Sequence, residues 1–182
     1  MYKRQIPDPE CSVARGLRGV RSLAISPDGH SLYASGAATD IDWLYSSQIV
    51  VLARDPLSGA LSQLEGARGC VHHRGQQNEG CARARRGLGG AAGDVAVSPS
   101  GTAVYVATGD GVALLDRDPL TGALTPHPGR SGCVLPSPRY GCRGGLPRLV
   151  FASLTLPPRG PALYLSQSDG VAVVRTSDPA DR

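Results

Sequence analysis

The side chains here that could do chemistry are few: four histidines, five cysteines, and acids and arginines spread along the chain. Within residues 36–47 stand Asp40, Asp42, the sole tryptophan Trp43, and Tyr45; His72, His73 and Glu79 follow. An aromatic platform ringed by polar groups is what a pocket for a small molecule or a protein ligand needs. Asp40, Asp42, Trp43, Tyr45, His72 and His73 are therefore the candidate ligand-binding set. The plainer account of the same stretch is a surface loop in which Trp43 covers a strand edge. A metal held by His72, His73 and the nearby carboxylates is not expected, because adjacent histidines in extended backbone point to opposite sides. No metal and no cofactor is assigned. Arg83, Arg85 and Arg86 could grip an anionic sugar phosphate through paired guanidinium hydrogen bonds, although such a run ordinarily serves as a solvated loop.

No catalytic residue is assigned either. The Gly-x-Ser-x-Gly elbow is missing from the sequence, and no histidine is tied to a serine and an aspartate by a recognisable spacing. Asp55, Asp118 and Asp178 each precede a proline. That recurrence points to turn chemistry, since a catalytic carboxylate is needed once per site.

The elements that must position these residues are written as a repeat. One copy runs Ser26-Pro27-Asp28-Gly29, Ser31-Leu32-Tyr33, an apolar run from Gln48 to Ala53, then Asp55-Pro56-Leu57-Ser58-Gly59. A second runs Ser98-Pro99-Ser100-Gly101, Ala103-Val104-Tyr105, Gly111-Val112-Ala113-Leu114-Leu115, then Asp118-Pro119-Leu120-Thr121-Gly122. A third keeps Pro157-Pro158-Arg159-Gly160, Ala162-Leu163-Tyr164, Gly170-Val171-Ala172-Val173-Val174 and Asp178-Pro179. The Ser-Pro-x-Gly units suit type I turns, with proline setting φ at the second position. The five-residue Asp-Pro turns end on a glycine suited to the left-handed region. Short aliphatic strands between such turns, repeated at a long period, predict an all-β chain. Its expected form is a partial β-propeller of two four-stranded blades and most of a third.

These residues carry a resemblance. Ser-Pro-Asp-Gly, Leu-Tyr, Gly-Val-Ala-Leu-Leu-Asp-Arg-Asp-Pro-Leu-Thr-Gly-Ala-Leu and a Gly-Cys pair are similar to the lactonase-type (YVTN-like) propeller repeats of bacteria, over residues 11–179. The resemblance implies a ring of usually seven blades and, for activity, a lactone hydrolase of the 6-phosphogluconolactonase type.

Five cysteines follow the repeat. Cys70 and Cys81 flank the link after the first copy, and Cys133 and Cys142 flank the same link after the second. Two disulfides at equivalent places are expected, leaving Cys11 over; a zinc site would want four ligands at close spacing. Disulfides place the protein in an extracytoplasmic compartment: secreted, periplasmic or in the cell envelope. Residues 1–5 carry no apolar segment of a signal peptide and fit neither the repeat nor the otherwise lysine-free chain, so they are read as foreign to it.

Composition excludes other classes. With 24 glycines and 15 prolines among 182 residues, the chain is turn-rich, and no apolar run reaches membrane-crossing length. The net charge of +4 is dispersed and only 4% of residues are aromatic, so a nucleic-acid partner is not expected. The expected organisation is a remnant of a preceding link at 1–15, blade one with its link at 16–81, blade two with its link at 82–142, and an incomplete blade three at 143–182. On this reading the chain is cut at each end, and its partners are the remaining blades of a larger propeller. The leading function is a non-catalytic scaffold whose top face binds a small molecule or a protein. The lactone hydrolase is the alternative.

Overall fold

The structure, a computed structural model, describes residues 14–39, 45–73, 80–84, 86–146, 153–166 and 170–176. It is all-β, its only helical turns among the described residues being the short 3-10 segments Gly66–Gly69 and Arg130–Gly132. Among the described residues, fifteen strands form three sheets in chain order. The first holds β1 (Val20–Ile25), β2 (Ser31–Thr39), β3 (Tyr45–Arg54), β4 (Leu61–Gln63), β5 (Cys70–His72) and β6 (Ala82–Arg83). The second holds β7 (Ala92–Val97), β8 (Ala103–Thr108), β9 (Gly111–Arg117), β10 (Leu124–Pro126), β11 (Cys133–Leu135) and β12 (Arg143–Gly144). The third holds β13 (Leu154–Thr155), β14 (Ala162–Ser166) and β15 (Val171–Arg175).

The first two sheets follow the same path, β1-β2-β3-β5-β6 and β7-β8-β9-β11-β12, with β4 on β3 and β10 on β9. The expected fourth strand is thus split. β4 and β5 both pair antiparallel with β3, and a 3-10 turn lies between them. Gly69 and Gly132 permit that break: a Cβ there would fall 2.1 Å from the Leu64 carbonyl oxygen and 2.2 Å from that of His127. The parallel pairing of β6 with β5, and of β12 with β11, carries the chain on to the next sheet.

The turns are built as their residues dictate. The Gly29 N–H donates to the Ser26 carbonyl at 2.8 Å, and Gly101 repeats this with Ser98 at 2.9 Å. Asp55 Oδ1 accepts from the Leu57 and Ser58 N–H groups at 2.9 and 2.8 Å, and Asp118 serves the equivalent turn. Both carboxylates are therefore occupied with turn closure, while Asp178 lies outside the described residues. The hairpin that carries residues 36–47 is longer than its counterpart in the second sheet, β2 and β3 pairing out to Thr39 opposite Tyr45 where β8 and β9 end at Thr108 opposite Gly111.

Apolar side chains fill the space between sheets. Tyr33, Ile49, Val51 and Val71 of the first meet Val95, Val104, Val106 and Leu115 of the second, all buried. Tyr105, Val112 and Leu114, on the other face of the second sheet, meet Leu154, Leu163 and Leu165 of the third. β8 is accordingly buried along its whole length. A sheet flanked on both faces has no polar-out alternation, which is why these strands read as continuous apolar runs.

Among the described residues, Arg117 and Asp94 each anchor a polar link across these interfaces. Arg117, its side chain 1% exposed, donates from Nη2 to Asp28 Oδ2 at 2.7 Å and to Ser31 Oγ at 3.1 Å. Its Nε donates to the Tyr33 hydroxyl at 2.7 Å and its Nη1 to the Gly101 carbonyl at 2.9 Å, while the Tyr33 hydroxyl donates to Gly122 at 2.8 Å. The bonds to Asp28, Ser31 and Tyr33, and that from Tyr33 to Gly122, cross the interface, while the Gly101 bond stays within the second sheet. At the other end of the sheets, the Asp94 carboxylate accepts from Ser22 Oγ of the first sheet and from Ser153 Oγ (2.8 Å) and Leu154 N (2.9 Å) at the third.

Candidate functional site

The link segments converge where the first and second sheets meet, and there they line a cleft of about 570 Å³. This is within the range of small-molecule sites. Its wall is His73, Arg83, Gly87, Gly89, Asp110, Leu135 and Tyr140. Each is placed by local chemistry. The Cys70–Cys81 disulfide, with Cα atoms 4.8 Å apart, ties the start of β5 to the start of β6. The parallel register His72 to Arg83 then sets Arg83 beside the chain that leads into His73. The Cys133–Cys142 disulfide, Cα atoms 4.9 Å apart, closes the corresponding ring in the second sheet and carries Tyr140.

Asp110 sits on the tight turn joining β8 to β9. The Thr108 hydroxyl oxygen accepts from the Asp110 and Gly111 N–H groups at 3.3 and 3.2 Å, which holds that turn. Its carboxylate crosses directly over Gly89, where a Cβ would lie 2.1 Å from Asp110 Oδ2. A side chain at position 89 would therefore push the Asp110 carboxylate aside. Arg139 Nη2 stands 3.9 Å from Asp110 Oδ1, and its guanidinium carbon is 5.4 Å from the centroid of the Tyr140 ring, within cation–π range. Tyr140 is 72% exposed and has φ +54°, alone among the described non-glycine residues in having a positive φ.

The cleft thus combines arginine cations, an imidazole, a carboxylate and an exposed aromatic ring. Guanidinium groups suit a phosphate or carboxylate, an imidazole can take a proton from water, and a tyrosine ring can support an apolar or sugar face.

The candidate residues fare differently. His73 lines the cleft, whereas His72 is buried in β5 at 1% exposure, so the neighbouring histidines do not share a site. Tyr45 is described as the first residue of β3; Asp40, Asp42, Trp43, Glu79, Arg85 and Cys11 lie outside the described residues. Both expected disulfides are present. Of the arginine run, Arg83 lines the cleft and Arg86 donates to the Gly129 carbonyl at 3.1 Å. Sequence reasoning missed Asp110, Arg139 and Tyr140, which stand in turns and links outside the repeat core. The one available signal was Asp110 set between glycines at a hairpin tip. Among the described residues no group of three or more His, Cys, Asp or Glu side chains could hold a metal, and no helix is long and apolar enough to cross a membrane.

No family model matches the chain, and no curated protein matches it. Among solved structures it is similar to a protein of Bacteroides uniformis ATCC 8492 provisionally named a 6-phosphogluconolactonase, at 16% identity and a TM-score of 0.44 over 90% of this chain and 52% of that one. It is also similar to a protein of Bacteroides fragilis NCTC 9343 given the same provisional name, at 20% identity and a TM-score of 0.39 over 89% of this chain and 51% of that one. The chain spans about half the length of each.

Proposed function

We propose that the chain is part of a β-propeller in which each sheet is a blade, and that its cleft takes a small anionic ligand of the sugar-acid or sugar-phosphate type. One observation carries the functional reading: a histidine, an arginine and a carboxylate converge on a single concave space. That set favours a lactone hydrolase of the 6-phosphogluconolactonase type over a purely non-catalytic scaffold, because a scaffold needs no imidazole beside its anion grip. In this reading Arg83 holds the ligand's anionic group. His73 takes a proton from the water that adds to the lactone carbonyl; the ring C–O bond then breaks and its oxygen receives the proton.

The propeller reading is supported by the shared strand path of consecutive sheets and by their outward faces. Val171 and Val173 are 68% and 62% exposed, while Val112 and Leu114, at the same places in the second sheet, are 3% and 5% exposed under the third. An apolar face of that kind fits a further sheet of the same type, so we take the partners to be further blades. The disulfides are consistent with an extracytoplasmic location.

Calorimetric titration with inorganic phosphate and with 6-phosphogluconate, beside an assay of 6-phosphogluconolactone hydrolysis, tests the function. Binding weakened about tenfold or more by Arg83→Ala, a loss of about 1.4 kcal/mol, and hydrolysis abolished by His73→Ala, are expected. Binding without turnover returns the scaffold reading. Absence of both rejects the cleft.

A further inference from the structure

A second hollow of about 300 Å³ shares Arg83 with the cleft and is lined besides by Ala84, Arg86, Leu114, Pro126, His127 and Gly132; Ser131 lines a neighbouring, smaller hollow of about 20 Å³ with Cys133 and Val134. His127 links two further side chains. Its Nδ1 is 2.6 Å from Asp116 Oδ1, and its Nε2 is 3.1 Å from Ser131 Oγ. A carboxylate can only accept, so Nδ1 is the donor to Asp116; in the neutral ring Nε2 is then the acceptor for the Ser131 hydroxyl. This is the connectivity of an activated serine: nucleophile to base, base to orienting carboxylate, each within hydrogen-bond reach.

The fold explains why the three meet. β10 pairs with β9 so that Thr125 lies opposite Asp116 and Pro126 opposite Leu115. The His127 N–H then donates to the Leu114 carbonyl at 3.2 Å, which sets the imidazole beside Asp116, and the 3-10 turn Arg130–Gly132 brings Ser131 back over it. The Arg86 bond to Gly129 holds a cation at this turn. The side chains of His127 and Asp116 are 25% and 45% exposed, so water reaches the imidazole, and Ser131 is half-buried.

The arrangement is not a feature of the repeat. In the first sheet β4 pairs with β3 in the same way, and the Leu64 N–H likewise donates to the Val51 carbonyl, at 3.4 Å. The residues at the equivalent places there are Ala53, Leu64 and Arg68. A structural device of the blade would recur, whereas a catalytic set is needed once.

We propose that Asp116, His127 and Ser131 form a nucleophilic site that cleaves small esters carrying an anionic group, with Arg83 and Arg86 holding that group or the developing oxyanion. Ser131 Oγ attacks the ester carbonyl carbon and its proton passes to His127 Nε2. The ester C–O bond breaks, and the leaving alcohol takes that proton. Water then attacks the acyl-serine, giving one proton to His127; the acyl C–O bond breaks, Ser131 recovers its hydroxyl proton from His127, and the carboxylic acid departs and releases its remaining proton to solvent. The inference goes beyond the cleft reading, since none of the three residues lines the cleft.

The test is covalent labelling of the full chain with a fluorophosphonate, read by peptide mass spectrometry, together with hydrolysis of p-nitrophenyl acetate. An adduct on Ser131, lost in Ser131→Ala and slowed about 10²- to 10⁴-fold in His127→Gln and Asp116→Asn, is expected. Phosphate titration of the same wild-type protein reads the cleft independently of the label on Ser131, so failure of the cleft and failure of this site are separable. Unmodified Ser131 in protein whose circular dichroism shows it folded, or labelling equally fast in His127→Gln, overturns the proposal.

Discussion

Replacing Arg117 with alanine should cost about 3 kcal/mol of folding stability. Its guanidinium donates to Asp28, Ser31 and Tyr33, joining the first sheet to the second, and to Gly101 within its own sheet. Breaking a buried ion pair by removing one partner costs about 3–5 kcal/mol. The lower end applies, because Asp28 is 36% exposed and regains water when its partner leaves. For a chain of this size the loss corresponds to a fall in melting temperature of about 6–12 °C. The carboxyl of Asp28 supplies a second readout. Burial pushes its pKa up, but hydrogen bonds from Ser26 and His30 and the hydrogen bond and charge of Arg117 outweigh this and hold it at about 2. A depressed carboxyl contributes stability above its unfolded pKa of about 3.9 and loses it as pH falls through the folded value. The gap between wild type and Arg117→Ala should therefore narrow between about pH 4 and pH 2. Arg54 occupies the same place in the first sheet, as shown by its N–H bond to His30, matching that of Arg117 to Thr102. Its Nη1 reaches the Gly29 carbonyl at 3.0 Å, within its own sheet. Arg54→Ala should cost under about 1 kcal/mol. Urea unfolding followed by circular dichroism measures both variants. Equal losses, or an Arg117→Ala loss below about 0.5 kcal/mol, would refute the claim that this knot holds the sheets together.

Three further outcomes are expected. Replacing Cys133 and Cys142 together by serine should remove about 2–3 kcal/mol from a ring spanning nine positions, measured by thermal unfolding of the variant against the oxidised wild type. Asp94→Ala strands the Ser22 and Ser153 hydroxyls and the Leu154 N–H, and should cost about 2–3 kcal/mol at neutral pH. Burial works to raise the Asp94 pKa, but hydrogen bonds from Ser22, Leu154, Ser153 and Val95 prevail and lower it, so that difference should shrink in acid titrations below the ordinary carboxylate range. Tyr140→Gly relieves a left-handed tyrosine and should raise the melting temperature by the equivalent of about 0.5–1 kcal/mol while weakening ligand binding in the cleft. A parallel fall in both would show that Tyr140 serves structure alone.

What the amino-acid order determined by itself was everything that closes over a few residues. Ser26-Pro27-Asp28-Gly29 and Asp55-Pro56-Leu57-Ser58-Gly59 make their turns from their own side chains and backbone, and Cys70–Cys81 and Cys133–Cys142 close short rings. The apolar runs declared strands because central strands here are buried on both faces. Chemistry was legible only in part: Arg83 and His73 were singled out, whereas Asp110 showed only its place between two glycines and Tyr140 carries no local signature. The link between Asp28 and Arg117 spans 89 positions, and that between Ser22 and Asp94 spans 72. Neither can be seen until stacking order and register are known. Asp116, His127 and Ser131 match no spacing motif; they meet because β10 lies on β9 in one register and a 3-10 turn folds back. Turns and rings are governed by local torsions and short loop closure. A site is governed by which sheet faces which, and that is decided by burial of apolar surface shared among distant parts of the chain.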